Sequence, residues 1–559
     1  MSNAAINTIT IDKADIASGG MKSYKQDDDS IILITRDDST FHAFDGKCPH
    51  AGANLGDGLR CGNRVICPWH HATFDSSDGT LLEPIATEGL TQYQITDNGD
   101  SLTVNTSIKI DNHIEADKLT DTHTIIVGGG GAGFMTAHQL RNTGYGGKIT
   151  LVSTEDKAPY NRPLLSKAFL AGNMPEEKLL LGGADWASKQ NIDLRLNQTV
   201  SQVLPNERSI IITDDDGNVD RQTADFLVVA TGAEPKIPPI KGATLDGVYT
   251  LRSMEDAKLI KAASHDQRVV IVGTGFIGME VASALAQSGT TASITVIGQD
   301  HRVMGNIVSE TVSDALIKLH KEKGIQFVFN ASVAEIIEAE NTTDNGEENF
   351  SQVNSVKLAN GEQIDADIVI LGTGVAPRIE LLQDTNHPDG VQVDEHLQLR
   401  DGVYALGDIA KASNQLGRMR IEHWRVALQH GMVTAAAILN NDNDNDNDND
   451  NDNDNDNVKS LAERIPFFWT MQYGKSLRYS GHAATPDHGI LLGTPDNFDY
   501  IEYYFDDEGE NTRASAASSL GRDKELVAFS ELLRRGHAPT RAQINAEFDI
   551  IEQAQTLSR

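Results

Sequence analysis

The chain has 559 residues and a formal net charge of −34, from 81 acidic against 47 basic residues. Its length exceeds what one hydrophobic core organises, so three or four domains are expected, and its acidity argues against nucleic acid or an anionic membrane as partner. Three cysteines exclude a disulfide framework, no apolar run reaches the length of a membrane span, and the start "MSNAAINTITIDKADI" lacks the pattern of a signal peptide, so the cytoplasm is the expected compartment.

From the N-terminus, short runs such as "SIILITR", "TFHAFD" and "RVICPW", separated by Gly and Asp turns, predict a small all-β domain over residues 1–106. All three cysteines lie in it. Cys48 and His50 form C-x-H; sixteen residues later Cys67 and His70 form C-x-x-H. Tetrahedral zinc is one reading of two thiolates and two imidazoles. Zinc fingers, though, keep their cysteines together and their histidines together on a ββα unit. Here each cysteine is paired with a histidine on its own loop. That pattern, with a proline after both cysteines, resembles a Rieske [2Fe–2S] domain, where two thiolates hold one iron and two imidazoles the other. The resemblance implies Cys48, His50, Cys67 and His70 as metal ligands.

The departures from that family are specific. Ala53 and Trp69 stand where respiratory-type members carry a disulfide, and Ala72 and Phe74 where they place hydroxyls against the cluster. Without those hydrogen bonds a low-potential, ferredoxin-like cluster is expected. His71 replaces a glycine usual after the second histidine, and Cys61 reads as a buried free thiol.

A polar stretch over 107–122 reads as a linker. Beyond it, apolar strands alternate with helical segments, the signature of parallel α/β folds. "TIIVGGGGAGFMTAHQL" and "VVIVGTGFIGMEVASAL" each join a strand to a helix through G-x-G-x-x-G, at Gly128, Gly130 and Gly133 and at Gly273, Gly275 and Gly278. The spacing permits a tight turn, close approach to a pyrophosphate, and helix–strand packing. Glu155, 22 residues past Gly133, is positioned to meet a ribose. In the second copy Gly298 stands twenty residues past Gly278, so the acid reads as missing; Arg302 nearby can pair with a 2′-phosphate, leaving NADH, slightly preferred, and NADPH both open. "NDNDNDNDNDNDNDND", from Asn441, has no apolar residue and reads as a disordered insertion over 441–457; calcium binding is a weaker alternative, since the glycine turn and terminal Glu of an EF-hand loop are missing. Residues 458–559 mix strand and helix patterns.

Further motifs in this half resemble flavoprotein reductases of the pyridine nucleotide–disulfide oxidoreductase superfamily. "VVATGAEP", with Ala230, and "VILGTGVAP", with Gly374, resemble the strands crossing between its FAD and NAD domains. "VYALGDIA" resembles its second FAD motif, implying that Asp408 holds the ribityl chain. "PYNRPLLSK" implies Arg162 and Lys167 beside the flavin, and "GFIGME" a Glu280 that pairs with Lys167 near the nicotinamide. "IEHWRVALQHG" and "IPFFWTMQYGKSLRYSG" resemble ferredoxin-reductase and apoptosis-inducing-factor-like members, which implies Trp424 and Trp469 near the flavin. No cysteine follows Cys67, so the disulfide-reductase chemistry of the superfamily is excluded.

The expected fold is therefore multidomain: an all-β Rieske domain, α/β tandem Rossmann-like domains for FAD (123–245 and 371–440) and NAD(P) (246–370), and an α+β C-terminal domain (458–559). The whole resembles Rieske-fused apoptosis-inducing-factor-like oxidoreductases. This implies FAD, a [2Fe–2S] cluster, NADH or NADPH, and a redox partner as acceptor, with no nucleic acid or membrane; whether the chain forms a homodimer is left open. The rival is a redox-dependent interaction switch with slow NADH turnover. A nitrite reductase component is disfavoured because no cysteines remain for a sirohaem–[4Fe–4S] centre.

Overall fold

The computed structural model describes residues 8–110, 120–213, 217–339, 352–385, 388–414, 416–446, 460–546 and 548–558. The N-terminal domain is two antiparallel sheets. Six strands lie in the order Thr8–Asp12, Ser101–Ile110, Gln92–Asp97, Thr40–Asp45, Ile31–Asp37, Met21–Lys25, and a smaller sheet follows the chain from Leu59–Cys61 through Arg64–Ile66 and Thr73–Asp75 to Leu81–Glu83. The last strand of the large sheet runs to Ile110, still paired there with Gln92. The linker expected from residue 107 therefore starts later: after an irregularity between Asn105 and Lys109 the strand pairs again, Lys109 with Tyr93 and Ile110 with Gln92; residues 111–119 lie outside the described ones.

Two parallel sheets follow. In the first, Asp193–Arg195, Lys148–Val152, His123–Val127, Phe226–Val229 and Val403–Ala405 run parallel, edged by the antiparallel Gln398–Arg400. Ile125, Ile126 and Val127 are buried, as expected for strands covered on both faces. The second sheet orders Val248–Tyr249, Ile368–Leu371, Arg268–Val272, Ser293–Ile297 and Gln326–Val328, all parallel. A two-stranded ribbon, Ala233–Pro235 against Val375–Pro377, carries the chain between them. The crossing thus comes before the expected boundary at 245/246: Lys241 already bridges to Glu335 beside the second sheet, and Leu371 still pairs with Val272 inside it.

The C-terminal sheet is antiparallel, in the order Phe467–Gln472, Lys475–Gly481, Ala516–Leu520, Asp499–Tyr504, Gly489–Thr494, and shares a core with the helices Asp523–Arg534 and Ile550–Thr556. The helix starting at Trp424 extends to Asp446, so the first six residues of the Asn–Asp tract are helical rather than disordered. Adding residues to a helix already nucleated and packed costs far less than starting one. Residues 447–457 lie outside the described ones.

The domains are not beads on a string. One apolar cluster runs from Leu33, Phe44 and Phe74 of the N-terminal domain into Ile125, Phe134 and Leu428 of the first α/β domain. A second joins Leu59, Cys61 and Ile66 to Phe467, Phe529 and Leu532 of the C-terminal domain.

Candidate cofactor sites

The two cysteine–histidine loops are built alike. Cys48 and Cys67 each donate their N–H to a carbonyl five residues on, Ala53 and Ala72, and each accepts an N–H from four residues on, Gly52 and His71. Gly52 and His71 both hold positive φ, +77° and +57°. His71 therefore occupies the left-handed corner that glycine fills in the first loop, at a cost of order 1 kcal/mol. Its ring lies against Phe467, 4.1 Å between centroids. The ring of His70 faces that of His50 instead, at 4.7 Å. Of the two adjacent histidines, only His70 joins the pair.

These four side chains suit a binuclear cluster. The two thiols are hydrogen-bonded neighbours, which lowers Cys67 and raises Cys48. Burial pushes His50 down to about 4 and His70 to about 2, so both rings are neutral, as metal ligation requires. His70 Nδ1 is buried with no hydrogen-bond partner. Among the described residues no three such side chains converge on one metal position, as tetrahedral zinc demands; a cluster with two protein ligands per iron asks only for pairs. Cys61 is buried, and burial raises its thiol to about 12.

A cleft of about 230 Å³ opens where the first α/β domain, the second and the C-terminal sheet meet. Gly130, Arg162, Lys167, Ala230, Glu280, Asp408, Trp424 and Trp469, scattered over 340 positions, all line it. The glycine loops are shaped for this. Gly128 and Gly273 take φ of +116° and +122°, and a Cβ on Gly133 or Gly278 would sit 2.0 or 2.2 Å from the carbonyl oxygen of Gly128 or Gly273. A Cβ on Gly130 or Gly275 would meet nothing within 4 Å, leaving open space at the helix N-terminus.

A π-helical turn, Leu165–Phe169, turns two consecutive side chains toward one carboxylate. Ser166 Oγ donates to Glu280 Oε2 at 2.5 Å and Lys167 Nζ to the same oxygen at 2.8 Å; all three residues are buried. Ser166 was not singled out from sequence, although it lies within "PYNRPLLSK". Asp408 pairs with Arg252 at 2.8 Å; no motif marks Arg252, which arrives from another segment. Glu155, expected at a ribose, is held by Arg162 and accepts from Tyr160 Oη at 2.5 Å, so it reaches the cleft through Arg162. Trp424 packs over the glycine loop: a Cβ on Gly131 would lie 2.7 Å from its ring. Gly374 belongs to the crossing ribbon, its carbonyl accepting from Lys236 N–H.

The second repeat carries a carboxylate that the sequence reading passed over. Val152 and Ile297 end equivalent strands, paired with Val127 and Val272. Three residues beyond them stand Glu155 and Asp300, each 22 past the third glycine. Gly298 corresponds to Ser153, and a Cβ there would lie 2.6 Å from Thr274, which replaces Gly129 of the first repeat. The position equivalent to Glu155 is held by exposed Asp300. Arg302 pairs with Asp487 of the C-terminal domain at 3.2 Å and does not line the cleft.

The two sites meet at Trp469. Its ring lies 4.6 Å from that of His70 and 6.4 Å from that of His50, and it also lines the cleft.

A tandem glycine-loop α/β reductase carrying a paired Cys–His β-domain is a defined class, and comparison with known proteins identifies it. The chain belongs to the pyridine nucleotide-disulphide oxidoreductase family, whose model matches residues 122–431, and residues 8–94 match the Rieske [2Fe-2S] domain. It is an oxidoreductase that uses FAD, NAD(P)H and a [2Fe–2S] cluster. It is 26% identical to apoptosis-inducing factor 3 of Homo sapiens, over 92% of this chain and 82% of that one. It is 29% identical to rhodocoxin reductase of Rhodococcus erythropolis, over 73% of this chain and 88% of that one. Among solved structures, the putidaredoxin reductase–putidaredoxin covalent complex is similar with a TM-score of 0.66 and 27% identity, covering 78% of this chain and 99% of that one. No helix among the described residues is long and apolar enough to cross a membrane.

Proposed function

We propose that the chain is an NAD(P)H-dependent reductase that passes electrons by way of FAD to its own Rieske [2Fe–2S] cluster and on to a separate acceptor. The observation that carries this reading is Trp469, which touches the paired histidines on one side and lines the flavin cleft on the other. Flavin supplies the conversion between a two-electron hydride and one-electron steps, and the cluster supplies the one-electron exit. For each NAD(P)H oxidised to NAD(P)⁺, two one-electron reductions of acceptor follow and one proton is released.

The protein's part is binding and orientation. Gly128, Gly130 and Gly133 would admit the FAD pyrophosphate, with Arg162, Ala230, Asp408 and Trp424 around the remainder. Cys48, His50, Cys67 and His70 would hold the cluster. Gly273, Gly275, Gly278 and Gly374 belong to the nicotinamide dinucleotide side. Two donors on one oxygen fix the Glu280 carboxylate and, through it, Lys167, whose ammonium also donates to Pro163 O at 3.1 Å. Phe276, Ile277 and Phe468 line this spot with apolar surface. Asp300 at the ribose position and Arg302 held by Asp487 favour NADH over NADPH.

Anaerobic titration with NADH and NADPH, following flavin and cluster absorbance separately, tests the reading. Flavin and then cluster should be reduced; a cluster that stays oxidised while flavin is reduced overturns it. The end-to-end similarity to apoptosis-inducing factor 3 favours one second reading, a slow redox-dependent interaction switch. Turnover with an acceptor separates them, seconds for a reductase and minutes for a switch.

A further inference from the structure

The seam between the Rieske domain and the reductase is ionic as well as apolar. Glu83, at the end of the strand Leu81–Glu83, is buried. Its carboxylate meets Arg464 at 2.9 Å, Arg425 at 3.5 Å and Arg64 at 3.9 Å, and accepts from Gln429 at 2.9 Å. Arg425 and Gln429 lie in the helix from Trp424, whose first turns border the flavin cleft, and Arg464 lies just before the C-terminal sheet. These arginines also grip backbone. Arg425 donates to the carbonyls of His71 and Pro84, Arg464 to that of Leu82, and Arg478 of the C-terminal sheet to that of Trp69. The second ligand loop is therefore held from both sides by groups of the reductase.

A buried charge left without its partner is strongly unfavourable, so separating the domains would expose or strand four charges together. Guanidinium groups donating to carbonyls fix direction as well as distance. We infer that Glu83, Arg425 and Arg464 form a lock that fixes the Rieske domain in place, and that the cluster is served by the flavin of its own chain and not by that of a second copy. The inference rests on the reductase reading above. The lock residues are positioning residues: Arg425 holds the second ligand loop at the His71 carbonyl, and Glu83 and Arg464 hold Arg425's side of the seam.

Two full-length variants, mixed and also co-expressed, test the electron route. Cys67→Ser removes the cluster and keeps the flavin. Gly275→Val places a side chain in the open space of the second glycine loop, blocks NADH entry and keeps the cluster. With NADH, the flavin of the first is reduced while the low-temperature EPR signal of reduced cluster in the second stays absent over many wild-type turnovers. A signal rising at the wild-type rate overturns the inference. If the unmodified protein gives no cluster signal either, the reductase reading itself fails, and this inference with it. Glu83→Gln tests the lock. Cofactor spectra and flavin reduction should hold, cluster reduction should slow at least about tenfold, and hydrogen exchange over 81–84 should accelerate. A cluster reduced at the wild-type rate with exchange unchanged overturns the lock. Glu83→Asp, which keeps the charge, should recover part of the rate.

Discussion

The two cofactor sites are assembled in opposite ways. The four paired cysteine and histidine side chains come from 23 consecutive residues, on two loops with the same internal hydrogen bonds. The flavin cleft draws its wall from segments near 130, 162, 230, 252, 280, 408, 424 and 468. A local site depends on loop chemistry and fails locally. A distributed site depends on three domains packing correctly, and it fails with them. The cluster loops also lean on the reductase through arginines, so the contrast holds for the ligands and not for their support.

The largest effect expected is on the local site. Replacing His50 and His70 with alanine should abolish the cluster signal and leave FAD content and NAD(P)H-driven reduction of an artificial dye. Loss of dye reduction with FAD still bound would show that the sites are not separable. Gly133→Ala attacks the distributed site at its tightest point, because the new Cβ would fall 2.0 Å from a backbone oxygen. Loss of most FAD and a stability decrease of about 1–3 kcal/mol are expected by thermal melting.

Glu83→Gln probes the support shared by both regions, with an expected loss of roughly 3–5 kcal/mol in denaturant unfolding. Its pH dependence has a definite sign. Burial raises the Glu83 carboxyl, but Arg464, Arg425 and Arg64 outweigh burial and hold it at about 2, below its ordinary 4.5. A folded value below the unfolded one stabilises fully above pH 4.5 and less as pH falls toward 2. The gap between wild type and Glu83→Gln should therefore narrow over that window; a constant gap would remove the carboxylate charge as its cause.

Glu280→Gln should slow flavin reduction by about ten- to a hundredfold in stopped-flow, with FAD retained, because Lys167 and Ser166 lose the anion that positions them. Unchanged reduction would take Glu280 out of the mechanism. The smallest effect is expected at Arg302. As a partly exposed member of an ion pair worth about 1 kcal/mol or less, its replacement by alanine should leave the NADH-to-NADPH preference nearly unchanged, whereas Asp300→Ala should relax it. The reverse pattern would restore Arg302 as a coenzyme determinant.

Much of this was legible in the chain. The paired Cys–His loops, both glycine signatures and the Lys167–Glu280 pair rest on short spacings or motif order, and the structure brings each set together. Arg252 and Arg425 carried no signal, because an arginine becomes a partner only through what folds against it. Asp300 was readable: the distance of 22 residues that marked Glu155 also marks it, and the strand register makes the two equivalent. His71 reads as replacing a glycine after the second histidine, and its left-handed backbone is the conformation a glycine would take there.

By itself the sequence determined the domain types and the cofactors, since metal ligation and pyrophosphate binding impose residue types at short, fixed spacings. Only the tertiary structure decided that the Rieske domain is packed into the reductase, that Trp469 lies between its histidines and the flavin cleft, and that Glu83 is locked by arginines from distant segments. Those are contacts across hundreds of positions, formed by burial and charge neutralisation, and no local pattern encodes them.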